Sequence, residues 1–314
     1  MKAILYRRYG PPEVLEYTDL PEPQIRVDQI LVKVHATSVN PVDWKFRNGK
    51  PRIPFLKLPR IPGSDIAGVV IQVGKSAGRF KPGEAVFAVL SPFSGGGCAE
   101  YAAVPWRRAA VKPRNLAFEE AAAVPIAGLT ALQALRDHGK IMRGHHVLIN
   151  GASGGVGSFA VQIAKAHGAA VTAVTSRKNT DFVRELGADD VIDYTAEDFT
   201  KSGSRFDIIF DPIGNRSFAE CKLVLNPDGV YITTLPSPAM ILPILITPVV
   251  GGKQARLVNL RARASDLAIL LEWIEAGKIR PRIDKTFPLS KTSEAQAYSE
   301  TGHARGKIVI KVSE

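Results

Sequence analysis

Up to about residue 120, apolar residues come in short runs broken by Gly and Pro. Ile30–Val34, Ala67–Val73 and Ala85–Val89 are such runs, with the turn signal Lys81-Pro82-Gly83-Glu84 between the last two. Runs of this length suit strands better than helices, so this part of the chain predicts an antiparallel, barrel-like β domain. After Pro125 the pattern changes. Gly128–Asp137 is rich in Ala and Leu and predicts a helix. Strands then alternate with helices: strand His146–Asn150, helix Gly155–His167, strand Ala170–Thr175, helix Thr180–Leu186, and strands Val191–Asp193, Asp207–Phe210 and Val230–Thr233. Such alternation implies parallel βαβ units with right-handed crossovers. Ser265–Ala276 predicts an amphipathic helix and Gly306–Val312 a closing strand.

The chain of 314 residues suits two domains at roughly 150 residues each. At 45% hydrophobic and 23% charged residues it is an ordinary globular composition, which excludes fibrous and wholly disordered classes. The longest apolar stretch, Leu235–Val250, contains Pro236, Pro238, Pro243 and Pro248. Those prolines argue against a membrane-spanning helix, and an apolar loop or short helix buried at a pocket or subunit contact is expected instead. No integral membrane segment and no signal-peptide core are read, so a cytoplasmic location is expected. Cys98 and Cys221 are the two cysteines. Two are too few for a disulfide framework or a Cys-rich zinc site. Forty-one Lys and Arg against thirty Asp and Glu leave a net charge of +11, which raises nucleic acid, a membrane surface or an anionic ligand as partners. Lys45, Arg47, Lys50, Arg52, Lys57 and Arg60 form a basic segment around Trp44, Phe46 and Phe55. No RNA-binding signature accompanies it, and no nucleic-acid partner is expected.

The strongest chemical signal is Asn150-Gly151-Ala152-Ser153-Gly154-Gly155-Val156-Gly157, which follows a strand and opens a helix. Glycines at 151, 154 and 157 permit a tight turn and close approach of a pyrophosphate to backbone N–H groups at a helix N-terminus. The spacing is Gly-x-x-Gly-x-x-Gly, and a tight βα turn without a ligand is the plainer alternative. At the end of the second strand, a site for NAD places an acidic residue against the ribose 2′-hydroxyl. This chain has Thr175-Ser176-Arg177-Lys178-Asn179 there, with no carboxylate before Asp181. A hydroxyl and two cations suit a 2′-phosphate, so NADP(H) is the expected cofactor; a solvated basic turn is the alternative.

Several further segments join this motif in a fixed order. They are Asn40-Pro41-Val42-Asp43-Trp44-Lys45, Pro62-Gly63-Ser64-Asp65-Ile66-Ala67-Gly68, Phe80-Lys81-Pro82-Gly83-Glu84 and Gly95-Gly96-Gly97-Cys98-Ala99-Glu100-Tyr101. Pro125-Ile126-Ala127-Gly128-Leu129-Thr130-Ala131, Val191-Ile192-Asp193-Tyr194 and Gly302-His303-Ala304-Arg305-Gly306-Lys307 complete the set. In these the chain resembles, almost end to end, the zinc-free quinone oxidoreductase branch of the medium-chain dehydrogenase/reductase superfamily. Within that branch it is most similar to the chloroplast-envelope quinone and alkenal reductase-like subgroup. The resemblance implies an α/β fold: a GroES-like β-barrel domain (1–122, completed by 263–314) and a Rossmann domain with a doubly wound parallel sheet (123–262). It also implies an active site in the cleft between the two, and a homodimer formed at a sheet edge near Arg256–Leu260.

Zinc-dependent alcohol dehydrogenases of the superfamily carry Cys at the Asn40 position and Gly-His-Glu where this chain has Gly63-Ser64-Asp65. Asn and Ser are poor replacements around Zn²⁺, and no metal is expected. Reduction of an already electrophilic quinone or α,β-unsaturated carbonyl needs no Lewis acid, only positioning and a donor for the developing oxyanion. Carried over from the resemblance, Asn40 holds the nicotinamide ribose or the substrate carbonyl, Lys45 donates to the cofactor or the oxyanion, and Asp43 orients the loop. A salt-bridged turn is the alternative for Asp43 and Lys45. The expected cofactor residues are Thr130, Gly151, Ser153, Gly154, Gly155, Val156, Gly157, Ser176, Arg177, Lys178, Asn179, Tyr194, Thr234, Leu235, Arg305 and Gly306. The related enoyl-thioester reductases carry a general-acid Tyr after the Asn segment. This chain lacks it, so a thioester reductase stands as the alternative enzyme, and an NADPH-sensing or RNA-binding protein as the alternative of another class.

Overall fold

The computed structural model describes residues 1–50, 57–235 and 237–313; Arg52 and Phe55 of the basic segment, and Pro236, lie outside the described residues. Contacts divide the chain into two compact units. The first comprises Met1–Ile126, Ala262–Ala276 and Pro281–Glu314, the second Ala127–Arg261 and Gly277–Arg280.

The first unit is organised on one long strand, Gln29–Val39. It pairs antiparallel with Asp65–Val73 on one side. On the other, its first half pairs with Tyr101–Pro105 and its last residues with Lys307–Lys311. Register shifts between Leu31 and Val32 and between Val34 and Ala36 bend the strand and increase its twist. The sheet therefore curls around inward-facing Ile30, Val32, Val34, Ile66, Val70, Val86 and Val104, which form one buried cluster. Ala85–Val89 and Ala109–Val111 extend the sheet, and Ile283–Pro288 adds in parallel to Lys307–Lys311. This is the expected GroES-like barrel.

The second unit holds a six-stranded, wholly parallel sheet. Its strands lie in the order Asp190–Asp193, Ala170–Thr175, His146–Asn150, Phe206–Asp211, Leu225–Thr233 and Gln254–Leu257. Counted along the chain that is 3-2-1-4-5-6, the doubly wound order, which reverses between His146–Asn150 and Phe206–Asp211 and opens a crevice at their carboxyl ends. Val147–Ile149 and Ile208–Phe210 are fully buried, as central strands covered on both faces must be, and this accounts for their unbroken apolar runs. Gly277–Arg280 joins this unit because the Gln162 amide bonds both the carbonyl and the N–H of Arg280, at 3.0 and 2.8 Å.

One element departs from expectation. The helix predicted over Gly128–Asp137 is an α-helix at Pro125–Gln133 that widens into a π-helical turn at Ala134–His138. The Gly139 N–H closes that turn on the Ala134 carbonyl at 2.8 Å. For the apolar Leu235–Val250 stretch, burial at a pocket or subunit contact is expected. It contains the helix Pro238–Val250, which buries Met240 and leaves Ile241, Leu242, Leu245, Val249 and Val250 more than 60% exposed. A helix apolar on every side can turn only one of them to a sheet edge. Among the described residues, no helix is long and apolar enough to cross a membrane.

Candidate functional site

In the second unit, strand His146–Asn150 runs into Gly151, whose φ of +71° no side chain adopts readily. The N–H groups of Gly151 and Ala152 both donate to the Val174 carbonyl of the neighbouring strand, at 3.0 Å each. Gly154 then caps helix Gly155–Ala166 with extended backbone and no side-chain hydrogen bond. The first-turn N–H groups of that helix, from Gly155, Val156 and Gly157, thus carry no capping side chain and form a ready anion site. A Cβ at Gly157 would stand 2.2 Å from the Gly151 carbonyl oxygen, so helix and strand end meet more closely than any side chain allows. A Cβ at Gly154 would meet only that same oxygen, at 3.4 Å, so open space lies over the turn. An uncapped helix, close backbone and open space fit a dinucleotide pyrophosphate.

The residues around this turn are stitched together. The Ser153 hydroxyl accepts from Thr175 Oγ1 at 2.9 Å and from Asn179 Nδ2 at 3.1 Å, and Asn179 also reaches Ser176 Oγ at 3.3 Å. Arg177 and Lys178 stand exposed in the short 3₁₀ turn that these bonds anchor. The Tyr194 N–H donates to the Thr175 carbonyl at 3.1 Å, which brings that exposed ring to the same strand end. Sequence spacing missed one neighbour. Asp193, from the third strand, accepts from the Arg177 backbone; the Thr195 hydroxyl, its N–H and this contact lower the Asp193 pKa.

Spacing also missed Asp211, which ends strand Phe206–Asp211 at full burial. Its Oδ1 accepts from Asn150 Nδ2 at 2.9 Å and from the N–H groups of Ile213 and Gly214 at 3.1 and 2.8 Å. Its Oδ2 faces the Tyr231 hydroxyl at 3.1 Å. Burial, with Asp211 beside it, raises the Tyr231 pKa, so this phenol stays protonated. The network fixes Ile213 over Gly151, where a Cβ would stand 2.5 Å from Ile213 Cγ1. A carboxylate closing an apolar strand just before Pro-x-Gly was the available signal. Thr234 and Leu235 follow the next strand, Leu225–Thr233: Thr234 Oγ1 donates to the Pro212 carbonyl at 3.2 Å, and the Leu235 N–H to Thr233 Oγ1 at 3.3 Å. Thr130 is buried in helix Pro125–Gln133.

In the first unit, Asn40 and Asp43 come together at the start of the short helix Pro41–Arg47. The Asn40 N–H donates to Asp43 Oδ2 at 2.8 Å, and Ser64 Oγ donates to Asp43 Oδ1 at 2.9 Å. The hub of the cluster is Asp65, which is fully buried. Its Oδ2 accepts from Ser38 Oγ at 2.6 Å and Asn40 Nδ2 at 2.8 Å, and its Oδ1 from the Ile126 N–H at 2.8 Å. Lys307, given no role from the sequence, lies 3.5 Å from Asp65 Oδ2 and donates to Asn40 Oδ1 at 2.7 Å. Burial lowers its pKa, against the pull of Asp65 and Asp43. Zinc does not fit here. Asn40 and Asp65 spend polar atoms on each other and on Lys307, Ser64 spends its hydroxyl on Asp43, and an ammonium already supplies the positive charge. Among the described residues, no group of three His, Cys, Asp or Glu side chains is placed to hold a metal ion.

Asp43 is buried, and desolvation raises its pKa to about 6, against the Asn40 and Ser64 hydrogen bonds. Between the ordinary carboxylate value of about 4 and this raised one, the unfolded chain releases the proton while the folded chain keeps it. The Asp43 contribution to stability is therefore complete below pH about 4 and is lost as pH rises through about 6. In urea titrations, Asp43→Asn is expected to gain stability relative to the parent between pH 4 and 7. A stability difference independent of pH would disprove this assignment.

Lys45 lies outside the cluster, half-buried, with its Nζ 5.6 Å from the Trp44 ring centroid and its pKa lowered by burial. Arg305 is exposed. Gly306 is buried with φ +91°, and a Cβ there would meet the Arg282 carbonyl oxygen at 2.2 Å. The basic segment is not one surface. Arg47 is fully buried, bonded to the Gly10 carbonyl, Gln296, Asn48 and Glu300, and Arg60 is 7% exposed.

Comparison with known proteins agrees with this architecture. Residues 26–114 match the family described as alcohol dehydrogenase GroES-like domain, and residues 186–310 the one described as zinc-binding dehydrogenase. A chloroplast envelope quinone oxidoreductase homolog of Arabidopsis thaliana is 37% identical over 323 residues, covering 99% of this chain and 98% of that protein. A chloroplastic NADPH-dependent alkenal/one oxidoreductase of the same organism is 36% identical, covering 99% of this chain and 79% of that protein. The structure of the quinone oxidoreductase from Coxiella burnetii superposes with a TM-score of 0.92 at 34% identity, covering 100% of this chain and 99% of that one.

Proposed function

Because the chain belongs to the quinone oxidoreductase-like branch of the medium-chain dehydrogenase/reductase superfamily, we propose that it is a zinc-independent, NADPH-dependent reductase of quinones and α,β-unsaturated carbonyls. Both acceptors are conjugated electrophiles in which negative charge gathers on a carbonyl oxygen. When bound, the nicotinamide supplies the hydride. The observation that carries the reading is the Gly151–Gly157 turn, where an uncapped helix N-terminus lies against backbone too close for any side chain.

The chain's own residues then divide the work. N–H groups of the first helical turn hold the pyrophosphate, and Ser176, Arg177 and Lys178 hold a 2′-phosphate. Asn40 positions the nicotinamide ribose or the substrate carbonyl: its amide oxygen is held by Lys307, and Asp65 takes one of its two amide hydrogens. Lys45, with its proton loosened by burial, donates toward the oxygen that gains charge. Thr130, Tyr194, Thr234, Leu235, Arg305 and Gly306 belong to the same proposal as cofactor contacts. So does a homodimer through the edge strand Gln254–Leu257, which light scattering tests.

NADPH oxidation should be compared with a naphthoquinone, a short enal and a short enoyl thioester at matched concentrations. The quinone or the enal should react fastest, and a chelator should leave the rate unchanged. A faster thioester would favour the enoyl-thioester reductase, and no turnover with any acceptor would favour an NADPH sensor. Arg177→Ala should lower NADPH affinity about tenfold, the loss of one charge-assisted contact, and leave NADH affinity unaltered. Equal loss for both cofactors would remove the 2′-phosphate assignment.

A further inference from the structure

We propose that a cavity in the first unit, sharing no lining residue with the Asp65 cluster, binds an amphipathic anion: a carboxylate or phosphate head on an apolar chain. The cavity measures about 780 Å³ and is walled by Leu5, Leu20, Pro23, Ile61 and Phe93. That size is in the range of pockets that enclose small organic ligands. Its charged lining is entirely cationic: Arg7, Lys57 and Arg60, with no Asp or Glu among the described residues that line it. Arg7 and Lys57 are exposed, and Arg7 has a 3.4 Å contact to Glu16.

Arg60 differs from both. It is 7% exposed, and its Nη2 donates to the Pro92 carbonyl at 2.8 Å. Its Nη1 is buried with no hydrogen-bond partner among the described residues. The guanidinium lies 5.8 Å from the Phe46 ring centroid, and no carboxylate among the described residues pairs with it. A buried guanidinium without a counter-charge and with an unmet donor is a standing cost to the fold. An anion in the cavity that Arg60 lines supplies the missing counter-charge, and the planar guanidinium suits carboxylate and phosphate alike.

The site is built from backbone, which keeps it pre-formed. Arg60 and Tyr6 exchange two backbone hydrogen bonds of 2.9 Å, and the Gly96 N–H donates to the Ile61 carbonyl at 3.0 Å. Gly95, at φ +65°, passes so close that a Cβ would stand 2.0 Å from the Ile61 oxygen. Little ordering is left for a ligand to impose. The apolar walls fit a hydrocarbon chain, whereas a neutral quinone would leave Arg60 without a counter-charge.

Calorimetric titration of the full chain with sodium decanoate, decyl phosphate and neutral decanol tests this. The two anions should bind at one site, and their relative affinities tell a carboxylate head from a phosphate one. Decanol should bind about tenfold more weakly or less. Arg60→Met should weaken both anions by about tenfold or more while leaving NADPH binding unchanged. Leu20→Trp, which fills the cavity from its wall without touching Arg60, should abolish anion binding; it keeps the test decisive should Arg60→Met fail to fold. Absence of binding, equal affinity for decanol, or anion binding that survives Leu20→Trp would each overturn the proposal.

Discussion

Gly157→Ala is expected to reduce affinity for NADPH and NADH alike by about a hundredfold or more. The added Cβ would stand 2.2 Å from the Gly151 oxygen, 2.8 Å from Ala152 Cα and 2.9 Å from Gly151 C. All three atoms are backbone, so none can rotate away as a side-chain tip would. Relief requires helix Gly155–Ala166 to back off from the end of strand His146–Asn150, and the first-turn N–H groups move with it. Overpacking of this kind costs about 1–3 kcal/mol of stability as well. Gly154→Ala is the control. Its φ is −78°, and its Cβ meets only the Gly151 oxygen at an ordinary 3.4 Å. That variant should fold with the parent Tm and lose affinity only through the space its methyl takes from the ligand. Cofactor fluorescence titration with thermal denaturation separates the two, and unchanged binding in Gly157→Ala would refute the role of the turn.

This turn was legible because everything that shapes it is contiguous: a strand, a positive-φ glycine and a helix start within eight residues. The basic turn was legible in its residue types but not in its anchoring. Ser153 binds Thr175 and Asn179 across 22 and 26 positions, and no spacing rule connects them. Asp193 was overlooked for a similar reason, since the neighbour of the second strand in a 3-2-1-4-5-6 sheet is a strand still to come. The Asp65 cluster was the least readable part. Asn40 lies 25 positions from Asp65 and 267 from Lys307, and a lysine at the head of a closing strand reads as a solvated residue until the barrel closes over it. The charge excess misled in the same way. Of the cations around Trp44, Arg47 and Arg60 are interior side chains with internal partners or an internal cavity, so the net charge of +11 overstates the basic surface of that segment. For helix Pro238–Val250, composition gave the element but could not say which of its apolar sides the sheet would cover.

Asp65→Ala is expected to destabilise the chain by about 3–5 kcal/mol, the scale of a buried ion pair broken from one side. The loss exceeds that of a salt bridge because Asp65 answers four donors. Ser38 Oγ, Asn40 Nδ2 and the Ile126 N–H would all lose their acceptor, and the Lys307 ammonium, 4% exposed, would be left without its nearest counter-charge. Lys307→Met is expected to cost about as much from the other side: it leaves Asp65 charged and buried, and Asn40 Oδ1 without its 2.7 Å donor. The double variant Asp65→Ala/Lys307→Met removes both charges together, so its cost should fall short of the sum of the single costs by about 1–3 kcal/mol. Urea denaturation of the parent and the three variants at one pH closes this cycle. Additive costs would mean that the two groups fold independently and that Lys307 does not hold Asn40 in place. A coupled pair has a further consequence: because Lys307 fixes the amide oxygen of Asn40, Lys307→Met should lower turnover in proportion to the loss in Asn40→Ala, and adding Asn40→Ala to Lys307→Met should cost little more.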